Sequence, residues 1–412
     1  MKTGTKFAVA GASTGIVTAA VPIAYGVYLS KKRKPLDGDD MLRAENGAFI
    51  TADSRQTVLT GIDLGSPALR CTRDTEAVSL QPENIFGELE ARFGNYGARE
   101  IFGKCTDSFI TKQDIKEIKK LGINCVRIPV YSYLLFRDGK LKKAEPELDR
   151  VDRLVEKFGK AGIYSVLSLE YVPGFEDGRE DSFLSQGRKG FALRNAAISM
   201  WLKIAEHYKD VPSVAAYDIL DRGALGFECD DNAVNFYIRA VKALRNTGDS
   251  HIAILQIPEI DESRIEEIKN LNAAIGTGRK YCSFYETQAL AAKTKTLGEK
   301  GIASFITNLR PSSFTGALEA FGGAGVSGVF TGYKGVKDCI YCGSSPVTDL
   351  KLDTYESINE KLADAFATGT YTKNEALEDE VRNAAQNIVF RKVIKDPIKI
   401  HYSRGKAYSA GI

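Results

Sequence analysis

Short continuous apolar runs alternate with stretches of helical period along most of the chain. The runs are 57–65 (TVLTGIDLG), 123–130 (INCVRIPV), 163–170 (IYSVLSLE), 213–220 (SVAAYDIL), 251–257 (HIAILQI), 280–286 (KYCSFYE), 302–308 (IASFITN) and 327–335 (SGVFTGYKG). They do not switch between apolar and polar at every second residue. That is the pattern of strands covered on both faces, as in a parallel sheet. Between and after them, apolar positions three and four apart predict helices over 111–122, 147–162, 195–210, 231–248, 261–271, 288–299, 312–322 and 354–369. Thr111, with Asp114 three residues on, is a capping signal at the start of the first.

Eight strands, most of them followed by a helix, predict a (β/α)₈ barrel, a fold of ~250 residues before insertions. A doubly wound sheet is the alternative. It calls for a GxGxxG turn after the first strand, and "GIDLGSPAL" has none.

The N-terminal region departs from this pattern. Phe7 to Leu29 contains no charged residue, and ~20 apolar residues suffice to cross a bilayer. Lys2 and Lys6 precede it and "KKRK" (31–34) follows. An uncleaved transmembrane or signal-anchor helix is expected, with a cleaved signal peptide as the competing reading. The denser basic cluster on the C-terminal side favours a cytoplasmic body; a signal peptide would make it extracellular. The expected division is therefore an anchor over 1–34, a polar linker over 35–56, the barrel over 57–370, and a charged helix with a basic tail over 371–412.

Composition narrows the chemistry. The net charge is only +3, so a general nucleic-acid surface is not expected. The seven cysteines are scattered except for Cys339 and Cys342. That pair has neither a second CxxC nor a neighbouring histidine, so zinc is not expected, and no cofactor is called for. His207, His251 and His401 have no ligand spacing. Thiols of this kind fit a reducing compartment, and Trp201, the single tryptophan, falls on an amphipathic helix as a core residue.

In such a barrel the active site lies at the C-terminal ends of the strands. The residues expected there are Asp63, Arg127, Glu170, Asp221 with Arg222, Gln256, Tyr285 with Glu286, Asn308, and Tyr333 with Lys334.

Over about residues 57–366 the chain resembles glycoside hydrolase family 5, the cellulase-like barrels, and in particular its glucan-cleaving members. "FITKQDIKEIKKLGINCVRIPV" looks like the family's first helix and second strand, its arginine matching Arg127. "LSLEYVPGFEDG" is similar to a third strand and loop reading LDLHGAPGSQNG. "WLKIAEHYKDVPSVAAYDILDR" is similar to the helix and fourth strand that end in DLLNEP, and "FTGYKG" to an eighth strand reading FWTYKG.

The resemblance implies a retaining mechanism, with two glutamates ~5 Å apart serving as acid/base and nucleophile. At those two positions this chain carries Arg222 and Asn308. Asp221 stands on the family's asparagine, Glu170 and Tyr285 on histidines, and Gly332 on the tryptophan that stacks against sugar. A guanidinium with a pKa above ~12 is no general acid near neutrality. Losing acid/base help alone costs ~10²–10⁴ in rate.

The expectation is a membrane-tethered barrel with no intact catalytic pair, retained for carbohydrate binding or assembly. Arg127, Glu170, Asp221, Tyr285, Glu286 and Tyr333 would contact a β-glucan or another oligosaccharide. One alternative is an active retaining β-glucan hydrolase with displaced carboxylates, the candidates being Glu170, Asp221 and Glu286. The other is a membrane-anchored interaction protein with a filled pocket.

Overall fold

The computed structural model describes residues 33–67, 69–73, 76–80, 82–137, 140–141, 145–170, 172, 183, 185–220, 231–257, 262–277, 284–307, 326–343, 347–350, 352–363 and 371–395. Eight parallel strands form a closed ring: β1 (Thr60–Asp63), β2 (Cys125–Tyr131), β3 (Tyr164–Glu170), β4 (Val214–Asp218), β5 (Ile252–Leu255), β6 (Ala273–Thr277), β7 (Ser304–Ile306) and β8 (Ser327–Gly335). Each pairs with its sequence neighbour. Closure comes from β8, which pairs with β7 (Phe305↔Ser327) on one side and with β1 (Gly328↔Thr60) on the other. This is the (β/α)₈ barrel that the apolar runs predict.

Among the described residues, the helices of eight or more residues, in chain order, are α1 (Pro82–Phe109, kinked at Gly94), α2 (Lys112–Lys120), α3 (Glu145–Gly159), α4 (Arg188–Tyr208), α5 (Asp231–Asn246), α6 (Glu262–Lys269), α7 (Phe284–Glu299), α8 (Tyr355–Ala363) and α9 (Glu375–Lys395). Thr111 caps α2 in the expected reciprocal box with Asp114. Trp201 is fully buried in α4, its indole N–H donating to the Ile219 carbonyl at 2.7 Å.

Three expectations need correction. The sixth strand is Ala273–Thr277, not 280–286; Tyr285 and Glu286 lie in the first turn of α7. "AAIGT" was missed because its side chains are small. Gly276 is required there, since a Cβ would come within 2.9 Å of both the Gln256 Cγ and the Ile254 Cγ2 of the neighbouring strand.

Residues 35–56 are not a free linker. Leu42–Glu45 and Ala48–Thr51 form an antiparallel hairpin, and Gln56–Thr57 adds to it. Its two-residue turn is Asn46–Gly47, with φ of 50° and 78°, as a type I′ turn demands.

Nor does the C-terminal region lie beyond the barrel. Tyr371–Lys373 pairs with the strand Cys339–Gly343, itself paired to β8, and α9 places Val381, Ala384 and Ala385 in the main core. The apolar segment Phe7–Leu29 lies outside the described residues. Among the described residues, no helix is long and apolar enough to cross a membrane.

Two apolar layers result. One lies between strands and helices. The other fills the ring itself, with Cys125, Val166, Ala216, Ile254, Ala274, Phe305 and Val329, and Leu42 and Phe49 of the hairpin close it from the N-terminal end. A stacked contact of Phe49 on Phe305, centroids 6.2 Å apart, seals that end.

Candidate functional site

Successive strand residues point to opposite faces, so two steps along each inward row lead from the apolar interior to the mouth. Gly61 leads to Asp63, Cys125 to Arg127, Val166 to Ser168 and Glu170, Ala216 to Asp218, and Ile254 to Gln256. Over that short distance the lining changes from apolar to polar and charged.

Arg127 is the hub and is only 1% exposed. Its Nη1 donates to Asp63 Oδ2 at 2.6 Å and to Glu170 Oε1 at 3.3 Å. Its Nε and Nη2 donate to Asp218 Oδ2 at 3.0 and 2.9 Å, and Nη2 also reaches the Ser168 hydroxyl. The Gln256 amide donates to both oxygens of Asp218, at 2.9 and 3.0 Å. The Gly65 N–H donates to Asp63 Oδ1 at 2.7 Å, and the Ser66 hydroxyl to Glu170 Oε2 at 3.1 Å. Each carboxylate thus has both oxygens engaged. This is the fork geometry for which arginine, and not lysine, is suited. Buried charge is tolerated only when paired and hydrogen-bonded in this way.

Beside this network Tyr131 is buried at the end of β2. Burial pushes its phenol up, the nearby Arg150 opposes this, and the Glu170 charge adds to it, while its hydroxyl bonds to Ser66. It remains a neutral phenol.

Of the expected mouth residues, the structure brings together Arg127, Glu170, Asp63 and Gln256. Tyr333 is directed elsewhere: it is buried, and its hydroxyl donates to Asp114 Oδ1 of α2 at 3.0 Å. Lys334 joins it, donating to the Phe109 carbonyl at 2.9 Å, and burial lowers its ammonium pKa. The two fasten β8 to the α1–α2 junction. Asp221, Arg222 and Asn308 lie outside the described residues. The backbone of Tyr285 and Glu286 belongs to α7.

Asp218 and Ser168 are not among the mouth residues expected from the sequence because they sit one layer below the strand tips. The available signal was an aspartate inside an otherwise apolar strand, VAAYD. Among the described residues, no group of three or more His, Cys, Asp or Glu side chains is placed to hold a metal ion.

The chain matches cellulase (glycosyl hydrolase family 5) over residues 91–309, more than half of its 412 residues. A β-xylosidase of Phanerodontia chrysosporium is 28% identical over 223 residues, which are 52% of this chain and 45% of that protein. A probable glucan endo-1,6-β-glucosidase B of Aspergillus flavus is 25% identical over 164 residues, 38% of this chain and 39% of that one. The matched stretch therefore spans less than half the length of either relative. A β-glucanase of Saccharophagus degradans, solved with cellotetraose, aligns over 85% of this chain and 97% of its own, with a TM-score of 0.44 and 12% identity.

Proposed function

Because this chain belongs to glycosyl hydrolase family 5, we propose that it is a barrel of that family which no longer cleaves glycosidic bonds and is retained to bind carbohydrate, or to assemble, at a membrane. The supporting observation is the engagement of the mouth carboxylates. Asp63, Glu170 and Asp218 all converge on the Arg127 guanidinium. Family chemistry needs one carboxyl free to give a proton and another free to attack, whereas each of these is held by hydrogen bonds around one guanidinium. At the positions where the family carries its two glutamates, the sequence has Arg222 and Asn308. Neither can supply those roles.

The ligand in this reading is a neutral β-glucan or a related oligosaccharide. Arg127 and Glu170 would form the floor of its site, with Asp221, Tyr285 and Glu286 as the further sequence candidates; Tyr333, turned away to Asp114, drops out of that set. The membrane link rests on the uncharged run Phe7–Leu29 and the basic cluster after it.

A second reading is an active hydrolase with displaced carboxylates. It draws on Glu170, which is 8% exposed at the mouth, and on the hydrolase names of the relatives. Incubation of the full chain with aryl β-glucosides and soluble β-glucans separates the two. No product above background is expected. Turnover that disappears in Glu170→Gln or Glu286→Gln would establish the second reading and end the first. Calorimetry with glucan oligosaccharides then divides the remainder: heat of binding without turnover supports a carbohydrate-binding barrel, and no heat supports a purely structural one.

A further inference from the structure

We infer that the barrel stands on a phospholipid surface with its hairpin-plugged end toward the lipid and its mouth turned away, held by Arg33 as a fixed post. The inference rests on the membrane-anchor reading above and adds an orientation to it.

Arg33 is the third residue of the basic cluster that follows the uncharged run. Its guanidinium donates to the carbonyls of Gly122 and Ile123, in the turn that leads from α2 into β2. Burial lowers its pKa to about 10, so it remains a cation at neutral pH. The next residues are fastened to the adjoining turn, between α3 and β3. The Leu36 N–H donates to the Gly159 carbonyl at 3.0 Å. Gly162, at φ +68°, has no room for a side chain, because a Cβ would lie 2.7 Å from the Lys34 carbonyl oxygen and 2.9 Å from the Arg33 Cβ. Both turns belong to the N-terminal end of the barrel, opposite the mouth.

Length decides the orientation. Leu29 and Arg33 are four residues apart in the sequence, and four extended residues span at most ~14 Å. Helix α3, which runs from mouth to plugged end, has 15 residues and is therefore about 22 Å long. A bilayer holding Leu29 can reach the plugged end but not the mouth.

The surface at that end suits a hydrated headgroup layer and not the hydrocarbon. Lys34 and Lys160 are exposed there, and the hairpin carries the exposed ion pairs Arg43–Glu45 and Arg55–Asp53. Asp37 and Asp39 are exposed at the same end, so that surface is of mixed sign, and it is Lys31, Lys32 and Lys34, next to the uncharged run, that favour an anionic leaflet.

The test uses the full chain in vesicles of phosphatidylcholine and phosphatidylserine that carry a headgroup-linked energy acceptor. A genetically encoded fluorescent residue replaces Lys160 at the plugged end or, in a second protein, Leu352. Leu352 is 81% exposed in the segment after β8 whose carbonyls hold Arg92 of α1, on the mouth side. Energy transfer is expected to be several-fold stronger from position 160. A flexible spacer of ~20 Gly/Ser residues inserted between Ser30 and Lys31 reaches ~25 Å and leaves Arg33 seated. It should weaken transfer from 160 and narrow the difference. Equal transfer from both positions without the spacer, or stronger transfer from 352, overturns the orientation while leaving the anchor intact, provided the protein floats with the vesicles. Failure to float overturns the anchor, and the orientation with it.

Discussion

The two ends of the barrel are closed by opposite means. At the N-terminal end hydrocarbon meets hydrocarbon: Leu42 and Phe49 of the hairpin sit on a ring of aliphatic and aromatic side chains. At the mouth the same inward rows end in a guanidinium clasped by three carboxylates. Apolar packing is nondirectional, and it loses stability in proportion to the atoms removed. A buried ionic cluster is directional and behaves as a unit: removing one member leaves the others desolvated and unpaired. The plugged end should therefore degrade gradually under mutation and the mouth abruptly.

The largest effect is expected from Arg127→Leu. It strands Asp63, Glu170 and Asp218 together and should cost about 3–5 kcal/mol, read as a lowered urea midpoint. Arg127→Lys should recover little, because one ammonium cannot reproduce the fork. A near-neutral result for Arg127→Leu would break the contrast, since it would mean that the carboxylates do not depend on their hub. At the other end, Phe49→Ala removes the ring stacked on Phe305 and should cost about 3 kcal/mol in the same measurement.

A smaller effect sharpens the contrast by pH. Asp249, fully buried before β5, accepts from the Tyr217 hydroxyl at 2.8 Å and from the His251 ring at 3.0 Å. Burial alone would raise its pKa, but the His251 and Tyr217 contacts outweigh burial and hold it below the usual carboxylate range. A depressed carboxyl stabilises the fold above the unfolded value of ~3.9 and loses that contribution as the pH falls through its folded value. Unfolding free energy measured between pH 5 and 2 should therefore fall more steeply for the native chain than for Asp249→Asn. Parallel curves would remove Asp249 from the account.

The sequence disclosed the barrel more readily than its closures. Long apolar runs such as CVRIPVY and YSVLSLE mark strands because both their faces are buried. AAIGT escaped because its place between β5 and β7 demands small side chains, Gly276 above all. The hairpin escaped for a different reason: the polar composition of 35–56 suggested a linker, although Asn46–Gly47 is the strongest short hairpin signal there is. At the mouth, Arg127 and Glu170 were legible from strand ends. Asp218 was not, because its depth below the rim follows only from the register of β4 against β5, Asp218 opposite Ile254.

The hairpin also bears on how the chain must be made. It leaves the ribosome early, yet the partners that hold it come late: the Ala44 N–H bonds to Asn272, 228 residues on, and the Leu59 N–H to Ser327, 268 residues on. Contacts so distant in sequence form slowly, and synthesis proceeds at ~5–20 residues per second. For tens of seconds the nascent protein carries the makings of a stopper with no vessel to close, and a short hairpin alone is only marginally stable, so its greasy residues stay bare to whatever chaperone or neighbour is at hand.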